Sequence, residues 1–151
     1  MKAQLAHPKS GYMEITNLSH KYKLTEHWCE LLIYYKADLE FHRSLLKKYY
    51  PQLSQGRKIK YIQEVEILIS KTLEDLEILS EQAKKHILLI DDLMGDLFMD
   101  KGQNFYEKHV NFENKLITFY SVFQILKSKI NIITRNTLTE VFQEELQESS
   151  K

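Results

Sequence analysis

Six histidines, one cysteine and 21 acidic residues are the groups with which this 151-residue chain could do chemistry. His42 falls among Trp28, Leu32, Tyr35, Leu39, Leu46 and Tyr49, which recur at spacings of three and four. Glu66 falls likewise among Ile59, Ile62, Ile69, Leu73 and Leu76. That alternation marks a buried helical face. A carboxylate on such a face needs a partner, and an imidazole is a good one. A turn near Leu53 would set His42 and Glu66 at one height, and Thr137 would join them from an unbroken third helix. The expectation is a polar core layer of His42, Glu66 and Thr137 that fixes register at some cost in stability, ahead of a ligand or proton site.

The remaining histidines suggest metal chemistry only in fragments. His109-x-x-x-Glu113 and His86-x-x-x-x-Asp91 resemble pieces of the hemerythrin family, but that family's HxxxH is absent and the elements come in the opposite order. A helical hairpin turning near Gly102 would put His86 opposite Ile117 and His109 opposite Met94, about two turns apart and unable to share an ion. The Glu-x-x-His pairs of ferritin-like bundles are missing too. No metal ligand and no cofactor site is assigned. His109, among Phe105, Phe112 and Met94, reads as a packed core residue. Cys29 has only its neighbour His27 as a base, and adjacent helical residues point apart. Without a nucleophile, base and orienter there is no catalytic assignment.

The elements that carry these residues are helices. Four glycines and two prolines are too few to punctuate many short strands. Thr25 reads as the cap of a helix that Pro51 ends. A second stripe runs through Ile59, Ile62, Glu66, Ile69, Leu73, Leu76, Ser80, Ala83, Ile87, Ile90, Met94 and Leu97. After a turn at Asp100–Asn104, a third runs from Phe105 through His109, Phe112, Leu116, Phe119, Phe123, Leu126 and Ile130 to Ile133. The spacing predicts an all-α antiparallel helical bundle, one shorter helix packed on a long coiled-coil-like hairpin. The Thr137-x-x-Glu140 capping box offers a short C-terminal helix after a break between Asn131 and Asn136. The organisation expected is a flexible or docked arm over 1–24, a bundle over 25–147 and a frayed tail over 148–151.

Surfaces come last. On this plan helix 1 covers only half of helix 2. Leu79, Leu88, Leu89, Leu93 and Phe98 then form an apolar face needing a protein partner, a second copy or the arm. Arg43, Lys47, Lys48, Arg57, Lys58 and Lys60, interleaved with tyrosines and no acid, form a candidate anion patch. The fold-back of Glu140, Glu144 and Glu145 would neutralise it. At the other end Asp91, Asp92, Asp96 and Asp100 read as a solvated face. Equal numbers of basic and acidic residues give no field toward nucleic acid. No apolar run is long enough to span a membrane, and one cysteine suits a reducing, cytoplasmic setting. The function expected is a non-enzymatic structural or interaction protein, with a ligand- or metal-binding bundle using buried histidines as runner-up.

Overall fold

A computed structural model describes residues 8–53, 58–95 and 104–150. Among them lie four helices and no strand: α1 (Pro8–Lys48), the single turn α2 (Tyr50–Leu53), α3 (Lys58–Gly95) and α4 (Phe105–Ser149). The all-α class is as the spacing predicts, with α1 packing on α3 and α3 on α4. α3 and α4 run unbroken for 38 and 45 residues. The break between Asn131 and Asn136, and with it a separate C-terminal helix, does not occur.

The contacts fall into two compact units. The first takes α1 up to Tyr34, α3 from Glu77 and α4 up to Leu116. The second takes α1 from Tyr35, α3 up to Leu76 and α4 from Ile117.

α1 corrects the predicted boundary at residue 25. It opens at Pro8, and proline suits a first helical turn, where its missing N–H has no partner to lose. Thr25 is no cap: it is fully buried, and its hydroxyl donates to the Lys21 carbonyl at 2.7 Å. That back-bond satisfies the hydroxyl and leaves the methyl for the core. Thr25 continues the row of Leu18, Leu32, Leu39 and Leu46, all buried at intervals of one heptad.

α3 corrects one column of its seam. Ile62, Ile69, Leu76, Ala83 and Ile90 are fully buried or nearly so, as expected. Their companions are Val65, Thr72, Leu79, His86 and Leu93, each one residue before the expected Glu66, Leu73, Ser80, Ile87 and Met94, which are only half-buried. A helix flanked by two neighbours buries a wide stripe, and both columns fit a three–four alternation. α4 buries Phe105, His109, Phe112, Phe119, Phe123, Leu126, Ile130 and Ile133 along the predicted stripe. Asn104, just before it, takes the left-handed conformation (φ 65), which asparagine tolerates better than most residues. The Gly102 turn lies outside the described residues.

Candidate functional site

In the first unit, α3 and α4 bring His86 and His109 together, with Nε2 of one 2.8 Å from Nδ1 of the other. The expected levels were wrong by about one turn on each helix. Both rings are buried among aromatics. His86 stacks on Phe105 at 5.3 Å and 10°, and His109 on Trp28 of α1 at 5.2 Å and 27°. Phe112 tilts against His86 and Trp28. Burial pushes the His86 pKa down to about 4, helped by the His109 ring and the Lys108 charge. Burial also lowers that of His109, with Lys21 adding to the effect and Glu113 opposing it. One ring donates and the other accepts, so the pair is satisfied only with a neutral acceptor.

Two imidazoles fall short of the three or four protein ligands usual at a zinc site. Among the described residues no group of three or more His, Cys, Asp or Glu side chains could hold an ion. Cys29 is partly buried, and burial raises its thiol pKa, with Lys84 opposing and Glu26 and Glu30 reinforcing. A thiol so placed stays protonated and is a weak nucleophile.

The expected layer of His42, Glu66 and Thr137 does not form as drawn. In the second unit, His42 Nδ1 donates to the Asp38 carbonyl at 2.8 Å, and Lys127 Nζ of α4 lies 3.3 Å from its Nε2. The same ammonium meets the Asp38 carboxylate at 2.7 Å. All three side chains are largely shielded, so the charges are paired where solvent screens them less. Glu66, on the outer column of α3, faces a shallow open groove with Gln63, Ile67, Ser70, Lys71 and Glu74. The Thr137 side chain lies outside those described. The expected α3–α4 levels set Thr137 beside His42, and the pairing of His86 with His109 shifts that level by about two turns of α4, to Lys127. Its place between Leu126 and Ile130 on the α4 stripe was the available signal.

The expected apolar face of the hairpin is mostly covered by the chain's own α1. Leu79 and Leu93 are buried, and Leu18 packs on Ile90, Leu93 and Phe105, with Tyr22 and Leu89 against that cluster. Leu88 alone of the described members is exposed, at 62%. Phe98 lies outside the described residues. Of the covers expected for this face, the described part of the arm supplies one, as helix, through Leu18 and Tyr22.

The candidate anion patch lies at the end of α1 and the start of α3. Lys47, Lys48 and Lys60 are exposed and Arg43 is half-buried; Arg57 and the Lys58 side chain are not described. Lys48 lies over the Tyr49 ring at 5.4 Å. The fold-back that would neutralise the patch is overturned, because α4 stays helical through Ser149. The last buried side chain described on α4 is Ile133, and every residue from Phe142 to Ser150 is exposed. Phe142 and Leu146 are 61% and 54% exposed, alongside Glu144, Glu145 and Glu148. Further back on the same helix, Ile117, Ile125 and Ile132 are exposed as well.

No protein-family model, curated protein or solved structure matches the chain.

Proposed function

We propose that the chain is a non-enzymatic interaction protein, a helical bundle that binds another protein surface through the C-terminal stretch of α4. The observation that carries this is the exposure of Phe142 and Leu146 on a helix that continues past the last buried side chain described, Ile133. Large apolar side chains clustered on an uncovered helix favour a partner more than water does. A cytoplasmic setting fits the lone free cysteine, and no described helix is long and apolar enough to cross a membrane. Nucleic acid is a poor candidate partner for a helix end that bears glutamates. The runner-up, a bundle that holds a metal or small ligand on buried histidines, is weakened because His86 and His109 already satisfy each other.

Size-exclusion of a lysate from the cells that make the protein tests this. The chain should elute well above its 18.0 kDa mass. Phe142→Glu with Leu146→Glu should return it to the monomer position while circular dichroism and thermal unfolding stay unchanged. Elution of the wild type as a monomer, or of the double variant at the wild-type position, would overturn the proposal.

A further inference from the structure

Resting on that reading, we infer that the partner of the α4 end is a second copy of this chain, each copy laying its acidic helix end on the other's basic end. Consider first what the helix end lacks. From Asn136 to Ser150 the sequence holds Glu140, Glu144, Glu145 and Glu148 and no lysine or arginine. There is thus no glutamate–lysine pair to support the helix from within, and glutamates near a helix C-terminus oppose its dipole. A helix of this length standing alone in water is marginal even with good composition. Leu138, Val141, Phe142 and Leu146 nevertheless keep a helical apolar spacing through the stretch. The sequence therefore suits a helix that is covered by an apolar surface carrying positive charge.

The second unit presents such a surface. Between Phe41 and Gln63 there are six basic residues and no acid, and Tyr49, Tyr50 and Tyr61 stand among them, partly or more fully exposed. Lys47 and Lys48 suit the C-terminal end of α1, but Lys60 lies near the N-terminus of α3, where the dipole disfavours it. Among the described residues no ion pair joins Lys47, Lys48 or Lys60 to a glutamate of the helix end. Lys127 contacts Asp38 and His42, so α1 runs out about two to three turns further on, between the levels of residues 133 and 137. α4 then carries Glu144, Glu145 and Glu148 away from Lys47, Lys48 and Lys60 by roughly 10–20 Å, a Debye length or more. Antiparallel apposition of two such ends about Phe142 reverses that displacement. Glu148 of each copy returns to the level where α1 and α3 of the other copy end, and the two Phe142 side chains come together. The contact is the same patch on both copies, as a two-fold interface requires.

Sedimentation of the purified full chain tests the inference. A dimer of 18.0 kDa chains is expected at low salt, with a Kd that rises as salt is added. Glu144→Lys with Glu145→Lys and Glu148→Lys should raise that Kd about a hundredfold, and Lys47→Glu with Lys48→Glu and Lys60→Glu should do the same. All six positions are exposed, so circular dichroism should report an unchanged fold. Mixing the two variants should restore a dimer, since each interface of the mixed pair then joins opposite charges. A purified chain that stays monomeric, or charge-reversed variants that dimerise like the wild type, would overturn the inference. If the lysate complex still depends on Phe142 and Leu146 while the purified chain is monomeric, only the second copy is excluded and the binding reading stands. If neither complex exists, both fall.

Discussion

His109 in the first unit and His42 in the second both stand on helical apolar stripes, yet their surroundings differ in kind. His109 meets another imidazole in a box of Trp28, Phe105 and Phe112, and its pKa is lowered by that burial. His42 meets the Asp38 carbonyl and the Lys127 ammonium, which is itself held by the Asp38 carboxylate. In one unit polarity is tolerated by removing charge, in the other by pairing it. The lesson is that a polar seam residue is decided by what α4 brings to it: aromatic rings at one height, a lysine at the other.

The comparison breaks most visibly on acidification. The His86 pKa is about 4 in the folded chain against 6.5 when unperturbed, so the unfolded chain takes up its proton first as pH falls. The contribution is fully present above pH 6.5 and is lost progressively as pH falls toward 4, by roughly 3 kcal/mol at about 1.4 kcal/mol per pH unit. Urea unfolding at stepped pH should show this decline, and His86→Leu with His109→Leu should remove it. The double variant should itself be tolerated, because both partners of the hydrogen bond leave together. His109→Leu alone should cost about 1–3 kcal/mol, because His86 is left buried without its partner. A pH profile unchanged in the double variant would show that the pair is not the acid-sensitive element.

A smaller effect is expected in the second unit. Lys127→Ala strands a carboxylate that is only 17% exposed, at a cost of about 2 kcal/mol, below the range for a fully buried pair. Asp38→Leu combined with Lys127→Met should recover most of that loss, as measured by denaturant midpoint. If Lys127→Ala proves neutral, the ion pair contributes no more than a surface one.

The smallest effect should be the same in both units. Thr25 and Thr72 are buried, and each donates its hydroxyl to the carbonyl four residues before it at 2.7 Å. Thr25→Val and Thr72→Val should each change stability by about 1 kcal/mol or less. A large loss at one site alone would show that its hydroxyl serves something besides its own helix.

What the sequence made legible follows from which residues carry an unambiguous period. The α4 stripe reads cleanly because phenylalanine, leucine and isoleucine hold every position from Phe105 to Ile133 except His109. On α3 the column of Ile62, Ile69, Leu76, Ala83 and Ile90 was equally plain, but its companion column was not. Glu66, Leu73, Ser80, Ile87 and Met94 look no less apolar than Val65, Thr72, Leu79, His86 and Leu93, and only the third helix decides between them. That one-residue choice drew Glu66 into a core layer it does not occupy, and left His86 out of the seam it does. α1 was truncated for a related reason. Threonine fits both a cap and a back-bonded core position, and only tertiary packing chooses. Reading Thr25 as a cap hides the heptad step back to Leu18, and with it the residue that packs on Ile90, Leu93 and Phe105.

The most direct test of an interaction surface at the end of α4 is amide hydrogen exchange of residues 142–149, followed as the concentration of the purified chain is raised. The account predicts fast exchange in dilute solution and protection that grows with concentration in step with the dimer seen by sedimentation, while residues 105–133 stay protected throughout. Fast exchange of residues 142–149 at every concentration, in a sample where sedimentation shows a dimer, would place the interface elsewhere and contradict it.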